Sequence, residues 1–206
     1  MGNIERQHHW EKIYTSKPLT ETSWYQPIPE TSLSILKQFD IPFNAKIIDI
    51  GGGDSLFVDH LLDLGYQDIT VLDISETAIS RAKHRLGERA QKVKWIVSDV
   101  SDFKPTEKYD FWHDRATFHF LTHEREIEHY IHIVTDYITS GGILVLATFS
   151  ESGPKKCSGI DIKQYSDTSM TQLLENYFEK IKCIPVDHQT PSGTIQQFIF
   201  CSFRKP

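Results

Sequence analysis

The run Ile47-Ile48-Asp49-Ile50-Gly51-Gly52-Gly53-Asp54-Ser55 decides the fold. A short Ile-rich strand ends in three glycines. The residues that follow put Phe57, Leu61 and Leu64 on one helical face, with Asp54 or Ser55 available as a cap and Gly65 as a stop. The same alternation continues outward. Residues 69–73 are a second strand, and Ser75 can cap a helix that buries Ala78, Ile79, Ala82 and Leu86. Residues 93–97, 109–113 and 143–148 supply three more strands. Between the last two, Ile127, Tyr130, Ile131, Val134 and Ile138 recur at helical spacing.

Five strands separated by helix-length segments imply parallel pairing through right-handed crossovers. The end of the chain breaks that rule. Residues 181–186 and 196–203 also read as strands, but a link containing Pro191-Ser192-Gly193 is too short for a crossover helix. They should form an antiparallel hairpin. The expected fold is α/β, a doubly wound, seven-stranded, mostly parallel sheet with a C-terminal antiparallel hairpin, Rossmann-like in its architecture.

A length of 206 residues fits one domain. Within it, residues 1–44 read as an N-terminal lid carrying Trp10, Tyr14, Trp24 and Tyr25, with a helix from about 30 to 38, and residues 45–149 as a ligand-binding core. Residues 150–168 read as a polar loop and 169–206 as a C-terminal helix and hairpin. The net charge of −6 disfavours nucleic acid as the main partner. No apolar run approaches the roughly 18 residues that span a bilayer, and no secretory signal is visible. Cys157, Cys183 and Cys201 are odd in number and not closely paired, which suggests free thiols in a reducing, cytoplasmic setting.

The glycine turn lets a ligand approach the backbone, and the helix behind it presents unpaired N–H groups. Asp73 ends the next strand, 20 residues beyond Gly53, where a carboxylate can accept from both hydroxyls of a ribose. A nucleoside-containing cofactor is implied. A dinucleotide site wants a third glycine where Leu56 stands, and Asp49 would repel a pyrophosphate. No Gly-Lys-Ser/Thr occurs, so the P-loop reading fails. A cofactor with a cationic end tolerates Asp49, and S-adenosylmethionine is one.

Taken with Ser98-Asp99-Val100, these motifs resemble those of class I S-adenosylmethionine-dependent methyltransferases, over roughly residues 30–203. The resemblance implies that Gly51, Gly52 and Gly53 border the methionine moiety and that Asp49 helps hold its ammonium. It further implies Asp73 on the ribose, Ile74 against the adenine, Asp99 on the adenine amino group and the Val100 N–H on a ring nitrogen. Ser55 stands where a further glycine is usual. Asp114-Arg115-Ala116 resembles the Asp-Arg-Gly of thiopurine methyltransferases and the Asp-Lys-Gly-Thr of some small protein-lysine methyltransferases. The segment with Trp10, Tyr14 and Trp24 resembles the lid of the same subgroups, which covers the cofactor and so places Trp24 with it; His113, at the end of the fourth strand, is a further cofactor-binding candidate.

Methyl transfer from a sulfonium is an in-line displacement dominated by positioning and exclusion of water. A thiolate or neutral amine needs no strong base; a hydroxyl or an ammonium does, and Asp114, His113 or His119 can supply one. Arg115 can orient the acceptor. Against these roles, Asp114 and Arg115 can form a structural ion pair and His119 can simply pack. His119 and His123 lack the glutamate of a zinc-protease helix, so no metal is expected. The expected function is methyl transfer to a small-molecule acceptor. The alternatives are a protein-lysine methyltransferase and, in another class, a non-catalytic S-adenosylmethionine-binding protein.

Overall fold

The Ile-rich run forms β1 (Lys46–Ile50) in the middle of a seven-stranded sheet, with β2 (Asp68–Asp73) on one side and β4 (Tyr109–Arg115) on the other. The computed structural model describes residues 2–206. β3 (Val93–Val97) and β5 (Ile138–Phe149) extend the parallel set, and β6 (Glu179–Gln189) and β7 (Ile195–Arg204) close the chain. The order is β3-β2-β1-β4-β5-β7-β6, with β7 antiparallel to both of its neighbours. The glycine turn after β1 therefore sits where the strand order reverses, the position at which an open α/β sheet binds ligands.

Successive side chains of a strand point to opposite faces, so two cores form. On one face Phe111, Val145 and Phe198 meet α2 (Glu30–Gln38) and α3 (Phe57–Leu64). On the other, Trp112, Leu144 and Phe203 meet α5 (Glu124–Tyr137) and α6 (Asp167–Leu174). α4 (Glu76–Leu86) buries Ala78, Ile79, Ala82 and Leu86, as its spacing predicts, and Ser75 Oγ accepts from the Ala78 N–H at 3.1 Å.

Several boundaries differ from expectation. α3 starts at Phe57; of the two expected caps, Ser55 Oγ accepts from the Phe57 N–H at 3.1 Å, while Asp54 pairs with Arg81 at 3.0 Å. Leu64 lies on the exposed side of that helix, and Gly65 ends it at φ 95°. Ile138 opens β5 and is not part of α5. The 150–168 loop is partly ordered by a short hairpin, in which Lys156 pairs with Asp161 and Cys157 with Ile160.

The thiol expectation needs correction. Antiparallel pairing places Cys183 of β6 opposite Cys201 of β7, and the two form a disulfide; Cys157 alone is free, and it is buried. The expectation of a reducing compartment rested on unpaired cysteines, and the pairing removes that support. Among the described residues no helix is long and apolar enough to cross a membrane.

Ahead of the sheet, α1 (Asn3–Ser16) lies across α4. The Glu11 carboxylate accepts from the Glu76 and Thr77 N–H groups at the start of α4. Arg81 donates to the Tyr14 and Lys17 carbonyls at the end of α1. A carboxylate at one helix start and a guanidinium at another's end both suit the helix dipole.

Candidate functional site

A cavity opens above the carboxyl ends of β1, β2 and β4, under α1 and the segment that carries Trp24. Its floor is the glycine turn. Gly51 and Gly53 adopt φ of 65° and 48°, a region that strains any residue with a Cβ. Space demands glycine as well. A Cβ on Gly51 would lie 1.8 Å from Thr117 Oγ1, and one on Gly52 would lie 2.5 Å from Asp49 Oδ2.

At the end of β2, Asp73 Oδ1 accepts from the Ser75 N–H at 2.8 Å. The other oxygen faces Gly53, whose Cβ would stand 2.9 Å from it and 2.7 Å from the Tyr14 hydroxyl. Burial pushes the Asp73 carboxyl up to about 7, against the pull of the Ser75 amide, and the nearby Asp54 and Asp49 raise it further. Ile74 and Val100 supply apolar wall next to it.

Asp49 is not a lone carboxylate. Its Oδ1 lies 2.7 Å from His113 Nδ1, and His113 Nε2 lies 2.9 Å from Ser32 Oγ. The chain Asp49–His113–Ser32 fixes the imidazole between β1 and α2, and all three residues line the cavity. Asp99 also lines it, with both oxygens engaged: Oδ2 accepts from Arg6 Nε at 2.8 Å and Oδ1 from the Ser101 N–H at 2.8 Å. Arg6 also pairs with Glu126 at 2.6 Å.

The roof is aromatic. Trp10 and Tyr14 of α1 each stand 5.8 Å from Trp24, and Trp10 stands 5.1 Å from Phe120. Such ring pairs add to area burial and keep water off the cavity.

Strand periodicity sorts the Asp114-Arg115 run. On β4, Trp112 and Asp114 share one face while His113 and Arg115 share the other, so adjacent residues part company. Arg115 lines the cavity; its Nη1 donates to the Trp24 carbonyl at 3.3 Å and its guanidinium stacks over Phe198 at 4.9 Å. It forms no ion pair among the described residues. Asp114 is fully buried away from the cavity. Its Oδ1 accepts from the Thr117 and Phe118 N–H groups at 3.0 Å each, and its Oδ2 accepts from the Tyr130 hydroxyl at 2.8 Å. The expected base is thus the staple of the turn after β4. The alternative of an Asp114–Arg115 pair does not form either.

His119 needs the same correction. It is fully buried between Phe120 and Phe149, and its Nδ1 accepts from the Phe149 N–H at 3.3 Å. Burial, with a smaller push from Arg115, lowers it to about 3, so it stays neutral and packs instead of accepting protons.

Arg6 carried no local signal, since its acid partners Asp99 and Glu126 lie 93 and 120 residues away. Ser32 likewise escaped notice, because a helix serine is read as solvated until its neighbours are known.

Residues 47–142 match the family model described as a methyltransferase domain. Over 121 residues the chain is 31% identical to the eEF1A lysine and N-terminal methyltransferase of Mus musculus, a stretch that is 58% of this chain and 17% of that protein. Over 105 residues it is 30% identical to malonyl-[acyl-carrier protein] O-methyltransferase 1 of Ilyobacter polytropus, covering 50% of this chain and 38% of that protein. The chain therefore spans under two-fifths of the length of either curated relative. Among solved structures, the N-methyltransferase NodS from Bradyrhizobium japonicum in complex with S-adenosyl-L-homocysteine superposes with a TM-score of 0.72, covering 97% of this chain and 98% of that one. At 16% identity that likeness is one of fold.

Proposed function

This chain carries a class I S-adenosylmethionine-dependent methyltransferase domain, and from that premise we propose that it moves a methyl group from S-adenosylmethionine to a small-molecule acceptor. The observation that carries the reading is Asp73 standing beside the glycine turn under an aromatic roof.

The residues fit the cofactor. Asp73 has one oxygen left over from Ser75 and can take the ribose hydroxyls. Gly51, Gly52 and Gly53 carry no side chain of their own, so Thr117, Asp49, Tyr14 and Asp73 close in on a bare turn whose backbone the methionine moiety would follow. Ile74 and Val100 offer apolar surface for the adenine. Asp99 is already engaged, yet a carboxylate has about four acceptor sites, so an adenine amino group can add to those it holds. Asp49, oriented by His113, faces the methionine end with the right sign for an ammonium. Trp10 and Trp24 line the cavity, where aromatic rings suit a cationic donor.

When bound, the cofactor supplies a methyl group on a sulfonium that leaves as a neutral thioether. The protein's own contribution is orientation and dryness. Both nitrogens of His113 are engaged, and Asp114 and His119 lie outside the cavity. In this reading the acceptor arrives with its reacting lone pair already available, and no side chain serves as a strong base.

The roof supports a small acceptor, because α1 and the Trp24 segment enclose the cavity that a lysine side chain would have to enter. The lysine reading rests on the 31% relative and requires α1 to move aside. Labelled S-adenosylmethionine should be offered with a metabolite fraction and, separately, with native and denatured protein. Label in small molecules is expected; label confined to protein lysines overturns the acceptor class. Saturable S-adenosylhomocysteine binding with no transfer to any fraction supports the non-catalytic alternative. A thermal shift with NADH and none with S-adenosylhomocysteine ends the reading altogether.

A further inference from the structure

We propose that the cavity recognises an acceptor bearing a carboxylate, held by the paired Nε and Nη2 donors of Arg115 as an anchor away from the reacting atom. The inference rests on the methyl-transfer reading for the word acceptor, but its anion site stands on separate observations.

The first is that Arg115 is satisfied on one side only. Nη1 meets the Trp24 carbonyl and the plane meets Phe198, while Nε and Nη2 are buried with no hydrogen-bond partner. These two nitrogens form the edge that grips a carboxylate through two parallel hydrogen bonds. A buried, half-satisfied guanidinium is costly unless something completes it.

The second is that no acid among the described residues pairs with it. The acid adjacent in sequence, Asp114, is turned to the other face. Asp49, which Arg115 feels electrostatically, makes its close contact with His113 and forms no ion pair with Arg115 among the described residues. Cys157 has its thiol pushed up to about 11 by burial, so it brings no thiolate. His188 is pushed down by burial and by Arg115 itself, and its Nε2 sits 2.7 Å from the Ser23 carbonyl. Burial also lowers Arg115, to about 10, which leaves it charged at neutral pH.

The third is position. Arg115 leans over Phe198 of β7, on the far side of β4 and β5 from Asp73 on β2. Strands lie about 4.8 Å apart, so two strand spacings part β4 from β2, and the lean toward β7 carries the guanidinium further from Asp73, toward the acceptor end. A cationic acceptor would meet this guanidinium and the cationic donor at once, and like charges in a dry site repel. A carboxylate paired with guanidinium has its charge drawn off, which makes it an anchor and a poor nucleophile.

The test uses the full chain saturated with S-adenosylhomocysteine. Small carboxylic acids and their matched primary amides are titrated against wild type, Arg115→Gln and Arg115→Lys. Wild type should prefer carboxylates over amides by about tenfold or more, Arg115→Gln should reduce the preference to within about twofold, and Arg115→Lys should keep a weakened preference. Affinity for S-adenosylhomocysteine should change less than about twofold. The Lys variant keeps the comparison readable if the Gln variant does not fold. Equal binding of acids and amides by wild type overturns the proposal. So does a preference that survives in Arg115→Gln, or a loss centred on S-adenosylhomocysteine, which would assign Arg115 to the cofactor's own carboxylate. If wild type binds no S-adenosylhomocysteine yet keeps an Arg115-dependent preference for acids, the methyl-transfer reading fails and the anion site stands.

Discussion

Arg6 Nε donates to Asp99 Oδ2 at 2.8 Å, joining the first helix to a carboxylate just beyond β3, with both side chains 8% exposed. The same guanidinium pairs with Glu126 of α5. One arginine thus clamps α1 over the cavity, and α1 in turn brings Trp10 and Tyr14 to the roof. Removing one partner of a buried pair leaves the other charged and unpaired, at a cost of about 3 kcal/mol. Arg6→Ala should strip hydrogen-exchange protection from residues 3–16 while the sheet keeps its own, and should weaken S-adenosylhomocysteine binding. Unchanged protection in α1 would contradict the clamp.

Asp73 carries a pH prediction. Its folded value of about 7 lies above the ordinary carboxylate range near 4. A group raised in this way contributes stability that is complete below about pH 4 and is lost as pH rises through about 7. Asp73→Asn removes the penalty and should make the free protein more stable at pH 8 by about 1 kcal/mol or more. Ribose hydroxyls donate to the ionised form, so wild-type affinity for S-adenosylhomocysteine should rise about tenfold from pH 6 to pH 8. The Asn variant should bind weakly at both. Calorimetry at the two pH values, with denaturant melts of both proteins, checks the pair of statements.

Ala116 sits at φ 67° directly after Arg115. For a residue with a Cβ that conformation costs about 1–2 kcal/mol, partly offset by the extra freedom glycine has when unfolded. Ala116→Gly should raise the melting temperature by about 2 °C. A fall would mean that the Ala116 methyl makes packing contacts worth more than the strain.

Asp114 holds two amides and a phenol. Asp114→Ala leaves the Thr117 and Phe118 N–H groups and the Tyr130 hydroxyl without their acceptor, a loss of about 3 kcal/mol. Burial sets this carboxyl at about 6. If it only staples the turn, residual turnover should keep the same pH profile. Disappearance of a titrating limb near pH 6 would return Asp114 to the chemistry.

Much of this was legible in the sequence, for physical reasons. A run of β-branched residues ending in glycines, repeated at helix-length intervals, leaves few topologies, and the short link after Gln189 could only be a hairpin. The position of Asp73 beside the glycine turn was legible because a residue ending the strand next to such a turn has a fixed place in these sheets. Asp114 and His119 qualified as bases by residue type alone, which says nothing of burial, although period-two alternation already separates Asp114 from the face of Arg115. The Cys183–Cys201 bond was missed because it depends on hairpin register, which one residue of slip would change. Arg6 lay beyond reach, since nothing local links a first-helix arginine to an acid after β3.

The central claim, that Asp73 and the glycine turn hold a nucleoside-containing methyl donor, is tested most directly by calorimetric titration of S-adenosylhomocysteine into wild type and Asp73→Ala at pH 8. The account predicts saturable one-to-one binding by wild type and a loss of at least about tenfold in the variant. Equal affinity in the two proteins would contradict it.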